Sequence, residues 1–126
     1  MRVLLTILAL VFCSQAEAKD SWAVYGWGHE SCGAWTKNQA FRAQIPAGKA
    51  SVSPPGLEVA SQQGGVDGFI SAFNFYVSAK PDVREGIDES GIVAWLDKYC
   101  ADHPLDQISA ATTALIAELS QRQTAQ

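Results

Sequence analysis

The stretch GIVAWLDKYCADHPLDQISAATTALIAEL, residues 91–119, decides the fold. Its apolar residues recur every three or four positions on both sides of Pro104, which is the spacing of two amphipathic helices. Proline ends the first of them after His103, because it lacks an amide hydrogen and clashes with a helix backbone. The predicted core positions of the two helices are Ile92, Leu96, Tyr99 and Cys100, with Trp95 on the flank, and then Ile108, Ala111, Leu115, Ile116 and Leu119.

Capping residues predict where both helices begin. Asp88 is a good N-cap for the first of them, and Ile87 and Ile92 occupy the two positions of a hydrophobic staple. Asp106 is the expected N-cap of the second. We expect the tail, residues 120–126, to fray.

Two further helices are predicted upstream. Residues 29–42 contain no proline and a single glycine, which suits a first helix. A second helix follows from a helical apolar stripe that stops before Pro81, and Gly68 within it indicates close helix packing. The predicted buried residues of this stripe are Val66, Phe69, Ile70, Phe73, Tyr76 and Val77.

Residues 44–65, between these two helices, have a different composition. Seven of the 22 residues are Gly or Pro, and Pro54, Pro55 and Gly56 form a strong turn signal. The segment is predicted to be a mobile loop or a small hairpin. The chain as a whole is therefore expected to be an all-α, four-helix domain with a long loop or small hairpin between its first two helices.

Residues 1–18 have the pattern of a secretory signal peptide. Arg2 precedes a ten-residue apolar run, which is too short to span a membrane, and small residues stand where signal peptidase requires them. Cleavage is expected between Ala18 and Lys19, which leaves residues 19–126 as a single periplasmic or secreted domain. A lipoprotein anchor at Cys13 is the less favoured alternative, since Phe12 does not fit a lipobox.

Removal of the signal peptide reduces three cysteines to two. In an oxidising compartment the remaining pair, Cys32 and Cys100, is expected to form a disulfide bond that holds the first and third helices side by side. A competing possibility is a zinc site, because His29 and His103 each lie one helical turn from one of these cysteines. A thiol enzyme is a further alternative, but its cysteine would lack an obvious base.

The charge pattern restricts the partners. Thirteen acidic against nine basic residues give a net charge of −4, with no basic stripe for nucleic acid. Outside the signal peptide no segment approaches transmembrane length. The sequence indicates a protein partner, no cofactor, no metal and no catalytic constellation, and it leaves a homodimer open. The candidate partner-binding residues are Trp22, Tyr25 and Trp27 in the lead-in, and Pro54, Pro55 and Gly56 in the predicted loop.

Short motifs resemble a known family. The segment from Trp95 to Leu105, with its Tyr99-Cys100 pair and His103-Pro104 corner, is similar to the C-terminal part of the Tai/Rap family. These are immunity proteins against type VI secretion amidases. The resemblance implies a non-catalytic inhibitor of a secreted cell-wall amidase. The family often has a further cysteine near its C-terminus, which this chain lacks.

A second resemblance, in architecture, is to the Hde-type acid-stress chaperones of the periplasm. They are also small, helical and held by one disulfide. For this chain the resemblance implies an activity that appears only in acid. Full protonation would carry residues 19–126, with twelve acidic residues, eight bases and two histidines, from −4 to about +10.

Overall fold

The computed structural model describes residues 25–46, 52–78 and 82–125. These residues form an all-α domain, and the sole β-type pairing among them is an isolated antiparallel bridge between Ser31 and Gln107. The signal peptide, the Ala18–Lys19 cleavage site and Trp22 lie outside them. The helices are a short 3-10 helix, Gly26–His29, followed by α1, Cys32–Arg42; α2, Pro54–Tyr76; α3, Glu89–Asp102; and α4, Ile108–Thr124.

One hydrophobic core unites the four α-helices. Cys32 on α1 and Cys100 on α3 are joined by a disulfide bond with 4.7 Å between their Cα atoms, as the sequence predicts. Both half-cystines are fully buried, and Trp35 packs beside them. The other buried apolar residues of this core are Val66, Ile70, Val83, Ile92, Leu96, Ile108, Ala111, Leu115, Ile116 and Leu119.

The start of α1 is fixed by the connection between α3 and α4. The amides of Cys32 and Gly33 donate to the carbonyl oxygens of Asp106 and Pro104, at 2.8 and 3.0 Å. Helix N-termini have amides without intrahelical partners, and a distant part of the chain satisfies two of them here. The helix therefore begins at Cys32 rather than at residue 29, and the preceding residues form the 3-10 helix.

The connection between α1 and α2 is shorter than the predicted segment 44–65. Helix α2 begins at Pro54, so residues 54–65 are helical, and no hairpin strand occurs in the described residues. The prolines occupy the first helical positions, where a missing amide hydrogen costs nothing and the fixed φ favours a helix. The Pro54-Pro55-Gly56 signal thus marks a helix start, and its prediction as a turn was wrong.

The ends of α3 and α4 combine confirmed and corrected predictions. Asp88 caps α3 and accepts a hydrogen bond from the Gly91 amide at 2.8 Å. Asp106 does not cap α4, because its carboxylate accepts a hydrogen bond from the Tyr99 hydroxyl and Gln107 occupies the N-cap position. The expected fraying after residue 120 is also corrected, since α4 continues to Thr124.

The apolar stripe of α2 is buried over part of its length. Val66 and Ile70 are in the core, and Phe69 and Phe73 are partly buried against it. Tyr76 and Val77, predicted to be buried, are instead 80% and 69% exposed. No helix among the described residues has the length and apolarity to cross a membrane.

Candidate partner-binding surface

The C-terminal end of α2 carries the largest exposed apolar cluster of neighbouring residues in the described chain. Phe75 and Tyr76 are each 80% exposed, and Val77 is 69% exposed. The two rings touch edge to face, with 4.7 Å between their centroids. Adjoining apolar side chains that a folded domain leaves exposed are candidates for an interaction site. We refer to Phe75, Tyr76 and Val77 as the α2-end cluster.

The local sequence explains why these residues face solvent. Four of the five residues from Phe73 to Val77 are apolar, whereas a helix turns about 100° per residue and directs one side toward the core. Phe73 takes the inward position, so Phe75 and Tyr76 point elsewhere. The end of the helix is held in place, since the amides of Val77 and Ser78 both donate to the Phe73 carbonyl at 2.9 Å.

A groove of about 410 Å³ lies between α2 and the turn that leads to α3, and none of the residues of the α2-end cluster lines it. Asn74 positions that turn: its amide nitrogen donates to Asp82 Oδ1 at 3.0 Å, and its amide oxygen accepts from the Val83 backbone at 2.9 Å. Asn74 therefore fixes the position of the turn that forms one side of the groove. Its lining residues are Ile70, Ser71, Asn74, Asp82, Arg84 and Ile87.

The charged side chains that line the groove are one acid, Asp82, and one base, Arg84. The guanidinium of Arg84 lies 2.6 Å from an Asp67 carboxylate oxygen and 3.5 Å from one of Glu89. The charge of Arg84 is therefore compensated within the domain. Asp82 and Glu85 are exposed on the same turn. The turn from Asp82 to Glu85 thus carries a net charge of −1, with two acidic residues and one basic residue.

The partner-binding residues predicted from the sequence lie elsewhere. Tyr25 is 82% exposed, and its ring contacts the His29 ring edge to face. Trp27 is half-buried, and its indole ring covers Gly65 and meets Phe69 edge to face. These aromatic residues therefore belong to two environments, one exposed and one packed.

The predicted loop residues form the opposite end of α2 from the α2-end cluster. Pro54, Pro55 and Gly56 make its first turn, where Pro54 is exposed and Gly56 is buried. Gly56 and Phe75 are 19 residues apart, or about 28 Å along a helix axis. A single small interface cannot cover both ends of α2. The binding role of Pro54, Pro55 and Gly56 stays a prediction.

A second aromatic feature runs along α3 and has a visible structural role. The rings of Trp95 and Tyr99 stack, with 5.3 Å between centroids and 16° between planes, and His103 lies next in line. Trp95 Nε1 donates to Glu118 at 2.7 Å, and the Tyr99 hydroxyl donates to Asp106 at 2.8 Å. The hydrogen bond to Asp106 raises the pKa of Tyr99, with burial adding to the effect. These bonds connect α3 to α4 and to the loop between them.

The disulfide bond bears on the zinc and thiol alternatives. With Cys32 and Cys100 bonded to each other, neither sulfur is a thiolate that can bind a metal or attack a substrate. Among the described residues, no group of three or more His, Cys, Asp and Glu side chains is arranged to hold a metal ion. His29 and His103 instead make ring contacts with tyrosines.

Helical periodicity alone did not predict the α2-end cluster. The helical spacing of apolar residues predicted that Tyr76 and Val77 are buried, and it gave no prediction for Phe75. The available signal was the density of apolar residues at the end of α2, which exceeds what one face of a helix can bury.

The chain matches no protein-family model, no curated protein and no solved structure.

Proposed function

We propose that this chain is an exported, non-catalytic protein-binding domain and that it inhibits a secreted cell-wall amidase. The observation that carries the binding role is the exposure of Phe75, Tyr76 and Val77 at the fixed end of α2. Aromatic side chains held at a rigid position bind a partner with little loss of conformational entropy, and they commonly dominate interface energies. The α2-end cluster is the surface we assign to the partner.

Two features of the sequence support the more specific parts of the proposal. The pattern of residues 1–18 supports export to the periplasm or medium. The resemblance of residues 95–105 to the Tai/Rap immunity family supports an amidase as the partner. In the fold, this stretch forms the end of α3 and its corner, where Leu105 is 92% exposed and available for an additional contact.

Inhibition of an amidase by defined variants tests this function. The protein, recovered after export of the full-length chain, is titrated into secreted cell-wall amidases of the same organism while peptidoglycan hydrolysis is measured. We expect stoichiometric inhibition of one of them. Phe75→Ser should weaken inhibition about tenfold or more, as loss of an aromatic anchor does.

Leu57→Ser provides the matched control, because Leu57 is 58% exposed at the other end of the same helix. This variant should inhibit as the parent protein does. Full activity of every amidase at a molar excess of the protein would disprove the inhibitor role. Equal losses in Phe75→Ser and Leu57→Ser would remove the α2-end cluster from the proposal.

An acid-stress chaperone is the alternative function, and a specific set of contacts favours it. Carboxylates accept hydrogen bonds from three aromatic side chains of α1 and α3: Asp97 from Trp35 at 2.7 Å, Glu118 from Trp95, and Asp106 from Tyr99. The hydrogen bonds from Trp95 and Arg122 lower the pKa of Glu118, so acid strong enough to protonate it weakens a contact between α3 and α4.

Protection of an aggregating client distinguishes this alternative. A chaperone of this type should prevent aggregation of an acid-denatured client near pH 2 to 3 and have no effect at pH 7, where the helices stay packed. Light scattering measures both conditions. Protection that is equal at the two pH values, or absent in acid, would reject it.

A further inference from the structure

We propose that residues 19–24, which precede the described part of the chain, pack on one face of α2 and place the indole of Trp22 against aromatic rings there. The rings of that face belong to Phe69, Phe73 and Tyr76, and we refer to them as the α2 aromatic row. Such packing is a property of the domain itself and does not depend on inhibition of an amidase.

The three rings share one face of α2 because of their spacing. Phe73 and Tyr76 follow Phe69 by four and seven positions, so the three side chains leave the helix within about 60° of one another. Phe69 and Phe73 are half-buried, whereas Tyr76 is 80% exposed, and Ala72 on the same side is exposed as well. The apolar face therefore extends beyond the part that the described residues cover.

The residues before α1 already cover the first part of this face. The indole of Trp27 lies over Gly65 and meets the Phe69 ring edge to face, with 6.4 Å between the ring centroids. Three residues later, the Glu30 carboxylate accepts a hydrogen bond from the Gln62 side chain. The chain thus runs toward the N-terminal end of α2 as it passes from Trp27 to Glu30. In the opposite direction, from Trp27 backward, it leads toward the exposed end of the α2 aromatic row.

The segment before the 3-10 helix is long enough to reach that end. Trp22 precedes Trp27 by five residues, which span up to about 17 Å when extended. Phe69 and Tyr76 are seven residues apart, or about 10 Å along the helix axis. Gly26 has a φ of 68°, so the chain turns there, and the extended reach leaves room for that turn.

The composition and the short tether of the segment suit this position. Residues 22–24, Trp-Ala-Val, are apolar, and the charged residues Lys19 and Asp20 are at the far end. Contact of an indole with other aromatic rings removes a large apolar area from water. Because the segment is joined directly to Tyr25, its local concentration at the row is on the order of millimolar. This tether favours the chain's own segment over a second copy or a separate protein.

Coverage of the row leaves Phe75 available to a partner. Phe75 is turned about 100° from Tyr76 around the helix axis, so the two side chains leave α2 in different directions. Trp22, a candidate partner-binding residue from the sequence, contacts the chain's own helix in this arrangement. Phase separation of roles is thus expected within α2: the row is covered from within, and Phe75 faces outward.

Proton NMR of the exported protein tests the contact directly. We expect nuclear Overhauser effects between the Trp22 indole and ring protons of Phe69, Phe73 or Tyr76. Absence of these effects, or effects from Trp22 to another part of the domain, would overturn the proposal. Filtered spectra of a mixture of labelled and unlabelled protein should show no such effect between molecules. An intermolecular effect would identify a second copy as the occupant and would also overturn it.

Two aromatic-to-serine variants of the full chain provide the matched comparison. Trp22→Ser should shift the amide signals of residues 72–76 and lower the urea midpoint, because the row loses its cover. Tyr25→Ser removes a ring that is 82% exposed and should leave those signals and the midpoint close to those of the parent protein. Equal results for the two variants, or unchanged signals of residues 72–76 in Trp22→Ser, would contradict the proposed packing.

Discussion

At the residue scale, two glycines of α2 differ in what surrounds them. A β-carbon at Gly65 would overlap the indole ring of Trp27, whereas a β-carbon at Gly68 would have no atom within 4 Å. The sequence prediction assigned close packing to Gly68, and the structure assigns it to Gly65. The identity of the packing glycine depends on Trp27, which is 38 positions away and reaches α2 from the 3-10 helix.

Replacement of each glycine by alanine should therefore have opposite effects. Gly65→Ala should lower the free energy of unfolding by about 1–2 kcal/mol, because displacement of Trp27 outweighs the gain in helix propensity. Gly68→Ala should raise it by up to about 1 kcal/mol, the propensity difference alone. Urea unfolding followed by circular dichroism measures both. A destabilised Gly68→Ala and an unchanged Gly65→Ala would contradict this assignment.

At the element scale, α3 and α4 are connected through a charged hydrogen bond. Glu118 on α4 accepts from Trp95 Nε1, and it pairs with Arg122 one turn further along α4. The hydrogen bond from Trp95, followed by that from Arg122, lowers the pKa of Glu118 below its ordinary value of 4.5. The folded protein thus favours the charged form of this side chain more than the unfolded chain does.

This pKa difference predicts the direction of a pH effect on stability. Because the folded pKa is the lower one, the stabilisation is complete above the ordinary pKa of 4.5 and is lost as the pH falls through the folded value. Glu118→Gln should flatten the fall of the urea midpoint across this acidic range. The effect should be small, since the Glu118 side chain is 40% exposed.

Glu58→Gln is the control for this experiment, at an exposed position of α2. It should retain the acidic fall of the parent protein. If Glu118→Gln has the same pH profile as the parent, then the hydrogen bond to Trp95 does not couple protonation to the packing of α3 and α4.

At the scale of the whole molecule, the disulfide bond joins two parts of the chain that are 68 residues apart. It connects the start of α1 with the last turn of α3, and α2 lies between them in sequence. The amides at the start of α1 bond to the carbonyls of the corner after α3, so covalent and hydrogen-bonded links hold the same junction. This arrangement holds the start of α1 against the end of α3.

Removal of the bridge should cost much of the stability. The double variant Cys32→Ser with Cys100→Ser frees a loop of almost 70 residues in the unfolded state, which amounts to about 4 kcal/mol on the chain-entropy model. Domains of this size are stable by about 5–15 kcal/mol, so the loss is a large share. Urea unfolding of the double variant and of the reduced parent should give the same lowered midpoint. An unchanged midpoint would show that the core suffices without the bridge.

The sequence predicted well where local rules agree. The core positions of α4, the Asp88 cap of α3 and the pairing of Cys32 with Cys100 all follow from periodicity, capping chemistry or cysteine count. It failed at the start of α2, where proline favours both a turn and a first helical residue. The neighbouring residues do not distinguish a turn from a helix start at these prolines.

The amino-acid sequence by itself determined the all-α class, the identity of the bridged cysteines and the main core stripes, because these depend on spacing within one segment. The tertiary structure alone decided that Trp27 lies on Gly65, that Asp106 binds Tyr99 instead of capping α4, and that Phe75 and Tyr76 face solvent. Each of these depends on which distant segment occupies the adjacent space. A helical period specifies which residues share a face, and packing between helices specifies how much of that face is covered.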